Sequence, residues 1–173
     1  DGALSTALLK YVAEGDTLHI QSPAGACYYQ ASKEQALLML ATGTGLAPVL
    51  GVLREALSKG HTGPIKLVVA SNDAKDFYAL YQLEQLSADY ANLHCQLVYL
   101  EGEAQPAHIE RGEHWQWEQG DVYQFVQNAY PALSGWQIYL CGKDSFVKKL
   151  KRYCFLVGAN MPEIFSDSFV AAE

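Results

Sequence analysis

From residue 36 onward the chain alternates two patterns, and this limits its folds more than any other feature. Short apolar runs occur at 37–41, 65–70, 94–100 and 137–141. Their length and their bounding turn residues fit buried strands. Between them lie helical periodicities. Leu46, Val49, Leu50, Leu53 and Leu57 share one helical face; Phe77, Leu80, Tyr81 and Glu84 share another, flanked by Leu83 and Leu86; Val122, Phe125, Val126 and Ala129 form a third. A fourth helix runs from about Asp144 to Val157, with Gly158 as the glycine that ends it. Short apolar strands alternating with amphipathic helices pair in parallel and are covered on both faces. The expected fold is α/β, a doubly wound parallel sheet of about five strands.

The first 30 residues read differently. Leu4, Leu8, Leu9 and Val12 fall on one face of a short helix. Thr17–Ile20 alternates polar and apolar, Ser22–Gly25 is a turn, and Ala26–Tyr29 reads as a returning strand, which is antiparallel β character. Residues 101–120 are polar, with five glutamates, and read as a loop with at most one helical turn. Trp115 and Trp117 are read as packing that loop down rather than stacking on a ligand. No internal repeat is visible.

Composition narrows the function. The formal net charge of −7 argues against a nucleic-acid partner. No apolar run approaches the roughly 18 residues of a membrane span. The opening residues show no secretory leader pattern, and the start on Asp1 leads us to expect a processed or trimmed fragment. Cys27, Cys95, Cys141 and Cys154 lack metal-site spacing, and the five histidines form no HxxxH or HExxH pair. The expectation is no resident metal, and reduced thiols in a cytoplasmic chain.

Ligands of open α/β sheets bind beyond the C-terminal ends of the strands. Three such ends are polar or glycine-rich. Thr42-Gly43-Thr44-Gly45 follows the first strand, and its glycines permit close backbone approach. The next helix offers free N–H groups and a positive dipole end, suited to phosphate, with Pro48 in its first turn. Ser71-Asn72-Asp73 follows the second strand, where Asp73-x-x-Asp76 resembles a capping box. Cys141-Gly142 ends the last strand, before a helix N-capped by Asp144 or Ser145. The first turn departs from the G-x-G-x-x-G fingerprint, because Pro48 stands at the third glycine. Alone, its glycines could merely turn the chain. Three ends together describe a crevice for an extended ligand.

In that order the three sites resemble the nicotinamide-binding module of the ferredoxin–NADP⁺ reductase superfamily. The resemblance rests on T-G-T-G-L-A-P (42–48), A-S-N-D-A-K-D-F-Y (70–78), Y-L-C-G (139–142) and S-D-S-F (166–169). G-A-L-S (2–5) is similar to the G-x-x-S that contacts the flavin diphosphate, and residues 15–25 look like the end of a flavin-binding barrel. The resemblance implies a flavodoxin-like sheet over 32–173, preceded over 1–31 by a remnant of an antiparallel β-barrel. It implies NAD(P)H and FAD as cofactors, hydride passing from nicotinamide C4 to flavin N5, and single electrons leaving to a ferredoxin or Fe–S domain. It places Gly43, Thr44, Gly45 and Pro48 at the pyrophosphate and nicotinamide, Ser71, Asn72 and Asp73 on the adenine side, and Cys141 and Gly142 by the nicotinamide, with Asp144 among the cofactor-binding residues. Gly2 and Ser5 fall at the flavin diphosphate and Phe169 at the flavin ring. Three positions depart from the family: Ala70-Ser71-Asn72 stands for Gly-x-Arg, Ser22 for the Gly of G-P-x-G, and Asp167 for Glu. The R-x-Y-[S/T] flavin grip is absent, so the chain is expected to be the C-terminal part of a longer reductase, inactive alone.

Plainer readings stand beside these. Cys141 is otherwise a small buried residue at a strand end, Ser5 a helix N-cap, and Phe169 a core residue. Lys143, Lys148, Lys149, Lys151 and Arg152 form either a solvated helix face or a dock for an acidic partner. At the second strand the carboxylate of Asp73 would repel a 2′-phosphate while Lys75 would attract it; the balance favours NADH. An oxidoreductase module is the leading function, ahead of a non-catalytic NAD-binding or regulatory domain and of an FMN carrier.

Overall fold

The computed structural model describes residues 3–19, 25–104 and 114–169. Helix α1 (Ala3–Tyr11) opens the chain. Strand β1 (Leu37–Thr42) leads through a 3₁₀ turn at Gly43–Gly45 into α2 (Leu46–Ser58). Then come β2 (Ile65–Asp73), α3 (Leu80–Asp89), β3 (Leu93–Glu101), β4 (Trp115–Gln119) and α4 (Val122–Ala129). Strand β5 (Gln137–Lys143), α5 (Asp144–Leu156) and β6 (Ile164–Phe169) complete the fold.

The six strands form one sheet in the order β4-β3-β2-β1-β5-β6, and every pairing is parallel. Alternation along β1 divides the core. Leu37, Met39 and Ala41 point to the face packed by α2 and α3; Leu38 and Leu40 point to the face packed by α4 and α5. A strand buried on both sides needs apolar residues at every position, so Leu37-Leu38-Met39-Leu40-Ala41 can only be central. Gly158 has φ +105 and ends α5 as its pattern predicts.

Three differences from the sequence reading stand out. Trp115–Gln119 is an edge strand rather than loop: Trp115 pairs with Cys95 and Trp117 with Leu97. Both Trp side chains face the core while Gln116 and Glu118 do not. Residues 164–169 add a sixth strand on the other edge. The hairpin expected over Thr17–Ile20 and Ala26–Tyr29 is not seen in the described part of that stretch: residues 17–19 and 26–29 are irregular, and 20–24 lie outside the described residues. A two-stranded hairpin is marginal in water without further strands beside it.

The leading segment instead holds to the domain by isolated contacts, beginning with the Lys33 carbonyl, which accepts from Thr62 N at 2.7 Å and Gly63 N at 2.9 Å. The Tyr29 hydroxyl lies 3.0 Å from His61 Nδ1. The buried Tyr139 hydroxyl accepts from Gln30 N at 3.2 Å and lies 3.1 Å from the Tyr28 carbonyl and 2.5 Å from Gln137 Oε1.

Candidate nucleotide-binding site

Strand order reverses at β1. The chain moves outward through β2, β3 and β4, then returns to place β5 on the other side of β1. The connections after β1 and β5 leave on opposite faces, so the C-terminal ends of these strands flank an open crevice. Gly43–Gly45 and Gly142 meet there.

Their contact explains the glycines. Gly45 has an ordinary φ of −62, so a left-handed backbone is not what requires it. A Cβ on Gly45 would lie 2.3 Å from the Cys141 carbonyl oxygen and 2.7 Å from Gly142 Cα. Gly142 has φ +134, and a Cβ there would lie 2.5 Å from Thr42 Cγ2. Gly43 has φ +54 and its would-be Cβ meets nothing within 4 Å. Two glycines thus clasp the strand ends together, and the third leaves open backbone above them. The Tyr78 hydroxyl donates to the Gly43 carbonyl at 3.3 Å. Thr44 is exposed, and Pro48 sits half-buried in the first turn of α2.

On the α4/α5 face a cavity of about 210 Å³ continues from this crevice. Ser71 and Asn72, the last residues of β2 before Asp73, line it together with Thr42, Asp121, Tyr123 and Lys143. The sequence motifs name neither Asp121 nor Tyr123, and they name Lys143 only as part of a basic helix face. The signal for Asp121 was present in Gly-Asp-Val: its carboxylate caps α4, accepting from Tyr123 N and Gln124 N at 3.0 Å. Lys149 Nζ lies 3.5 Å above the Tyr123 ring. Burial pushes the Tyr123 hydroxyl above its ordinary pKa.

Other expected residues are placed differently. Asp73 caps the 3₁₀ turn Ala74–Asp76, accepting from Lys75 N, and pairs with Lys75 Nζ at 2.8 Å. The hydrogen bond from Lys75 holds its carboxyl below the usual carboxylate range. Neither Asp144 nor Ser145 is the N-cap of α5; Lys143 holds that position without a side-chain bond, and Asp144 pairs with Lys148 at 2.8 Å. Cys141 is fully buried within the α2/α3-side core, the face opposite the cavity, and its Sγ lies 3.8 Å from Cys27 Sγ. Phe169 ends β6 opposite Lys143 and is 38% exposed, so it is not a core residue. Ser5 lies inside α1 rather than before it, and Gly2 falls outside the described residues. Lys148, Lys149 and Lys151 all engage neighbours of their own chain, Lys151 reaching Ser166 Oγ at 3.4 Å. Among the described residues no His/Cys/Asp/Glu group has metal-site geometry, and no helix is long and apolar enough to cross a membrane.

A doubly wound parallel sheet with a glycine-lined crevice at its switch point defines a nucleotide-binding α/β domain. The chain belongs to the oxidoreductase NAD-binding domain family, whose model matches residues 39–152. It is 29% identical over 168 residues, covering 97% of this chain and 48% of the relative, to the ferredoxin–NAD(P)(+) reductase component of a naphthalene 1,2-dioxygenase system from Pseudomonas putida. It is 31% identical over 141 residues, covering 82% of this chain and 41% of the relative, to the ferredoxin–NAD(+) reductase component of an alkene monooxygenase system from Xanthobacter autotrophicus. The chain thus spans under half the length of either relative. The fold is shared with the Amycolatopsis cytochrome P450 reductase GcoB (TM-score 0.74, 20% identity, 94% of this chain and 46% of that chain). The superfamily read from T-G-T-G-L-A-P and Y-L-C-G is borne out.

Proposed function

We propose that this chain is the nicotinamide-binding half of a flavin-dependent reductase that draws electrons from NADH and hands them to a ferredoxin or similar iron–sulfur partner. The observation that carries the reading is the Gly45–Gly142 clasp at the switch point. It brings the ends of β1 and β5 into backbone contact beneath the open backbone of Gly43, where a pyrophosphate would lie, and a Cβ at Gly45 or Gly142 would force those ends apart. The residues fit the dinucleotide. Gly43, Thr44 and the first turn of α2, with Pro48, border the pyrophosphate. Ser71 and Asn72 face the adenosine in the 210 Å³ cavity, where Tyr123 supplies an aromatic surface. The dinucleotide crosses the strand ends, so its nicotinamide end comes to Gly142 and Cys141.

When bound, the nicotinamide supplies a hydride and the flavin accepts it. The protein's part is to hold the two in contact, and Phe169, exposed at the end of β6, would cover the flavin ring. Gly2 and Ser5 would meet its diphosphate.

NADH is the favoured coenzyme. Asp73, Asp76 and Glu101 gather at the ends of β2 and β3, and the one lysine among them, Lys75, is already paired with Asp73. Lys143 and Asp121 both line the cavity, so their formal charges cancel. A 2′-phosphate would meet no net positive charge among these residues.

Calorimetric titration of the chain with NADH and NADPH tests the binding. NADH binding at least tenfold tighter than NADPH is expected; equal affinities overturn the coenzyme assignment, and no binding of either overturns the site. For the catalytic role, NADH should bleach the flavin of the longer reductase. Nucleotide binding without bleaching would mean a non-catalytic NAD-binding domain. The 173-residue chain alone should be colourless and without diaphorase activity, since its described residues before β1 form no flavin barrel; a yellow, active preparation would refute that.

A further inference from the structure

We propose that Cys27 and Cys141 are a peroxide-responsive thiol pair that closes to a disulfide between the leading segment and β5. The two sulfurs lie 3.8 Å apart although 114 residues separate them in sequence. A disulfide needs about 2.05 Å, so they must approach by about 1.8 Å. One side is free to make that move. Cys27 lies in an irregular stretch that has left the sheet, half-buried, with no ladder hydrogen bonds to break. The other side is a fixed anchor: Cys141 is buried in β5 and paired in register with Ala41 and Asp167.

The chemistry divides accordingly. The hydrogen bond with Cys141 lowers the Cys27 pKa, working against its burial and the charge of Asp167. The same bond, with burial, pushes the Cys141 thiol up. Cys27 is therefore the attacking thiolate and Cys141 the resolving thiol. Cys27 sulfur displaces hydroxide from hydrogen peroxide, forming the S–O bond of a sulfenic acid as the O–O bond breaks. Cys141 sulfur then attacks Cys27 sulfur; the S–S bond forms, and the sulfenic oxygen leaves as water with the Cys141 proton. Two thiols lose two electrons and one peroxide becomes two waters. Cys95 and Cys154 do not compete. Both are buried, and burial pushes each thiol up to about 12.

The test treats the 173-residue chain with graded hydrogen peroxide, alkylates the remaining thiols after unfolding, and maps peptides without reduction. The expected product is one Cys27–Cys141 cross-linked peptide, with two of the four thiols lost, both restored by dithiothreitol. Cys27→Ser should keep its three remaining thiols at the dose that consumes two in the parent chain, and Cys95→Ser should still form the bond. Cys27 as sulfinic acid with Cys141 still alkylatable would overturn the proposal, as would Cys27→Ser losing thiols at the parent rate. These readouts contain no nucleotide, so they succeed or fail independently of the proposed reductase function.

Discussion

The sheet from β1 to β6 and the segment before it are built on opposite principles. In the sheet, Leu37, Leu38, Met39 and Leu40 are all fully buried, and each strand is held by a backbone ladder on at least one side. In the leading segment, Leu9 and Tyr11 are 87% and 79% exposed, and attachment depends on a few isolated contacts. The sheet is stable because its bonds repeat. The leading segment is placed by contacts that can each be lost alone, so it lies at the low-stability end of the molecule.

Substitutions can break or sharpen that contrast. Leu40→Ala, at the centre of the sheet, should destabilise the fold by about 2–5 kcal/mol, read by denaturant unfolding. Gly45→Val should follow. Its side chain has only the Cys141 carbonyl to enter, so a loss of about 1–3 kcal/mol is expected, with NADH affinity reduced at least tenfold. A stable Gly45→Val variant with native affinity would mean that the strand ends part easily. Tyr139→Phe should cost about 1–3 kcal/mol by stranding the groups around its hydroxyl, with hydrogen exchange rising at residues 28–30 before the strands.

Acid should act on the same attachment. Burial holds the His61 pKa below the ordinary imidazole value, so the fold prefers the neutral ring that meets Tyr29. Stability from this preference is undiminished above about pH 6.5 and is lost as pH falls through the folded value. Below that, the Tyr29 contact should loosen while the sheet persists, and His61→Gln should flatten this dependence. NMR of the Tyr29 ring against pH checks it. The smallest effect belongs to Leu9→Ala, within about 0.5 kcal/mol of the parent; a larger loss would show that α1 is docked.

The same contrast governs what the sequence discloses. Buried strands are legible because burial on two faces demands unbroken apolar runs, as in Leu37–Ala41 and Ile138–Cys141. Edge strands are less so. Trp115–Gln119 alternates Trp with Gln and Glu, which is the pattern of a strand covered on one face, yet its polar setting reads as loop. In the leading segment, Thr17–His19 and Ala26–Tyr29 carry strand-like residues, but strand formation depends on partners that local sequence does not reveal. At the crevice, Gly43, Gly45 and Gly142 stand out as residue types. The reason Gly45 must be glycine, the Cys141 carbonyl against it, is a contact between distant parts of the chain. The closeness of Cys27 to Cys141 is hidden for the same reason. Asp73 and Asp144 look like site residues by position, and their pairing with Lys75 and Lys148 shows only in the structure.

The strand order also sets a sequence of events during folding. Leu37 pairs with Ile65, 28 residues on (65 − 37), and with Gln137, 100 residues on (137 − 37). Closing the longer loop costs only about 1 kcal/mol more in entropy, but such distant pairing is slow to find. The half made of β1 to β4 is therefore expected to form first around nearer contacts, with β5 and then β6 docking last. Because the clasp needs β5, the nucleotide bed does not exist until that final docking. A bound dinucleotide can then slow unfolding of the finished domain, but it cannot hasten the first steps that build it.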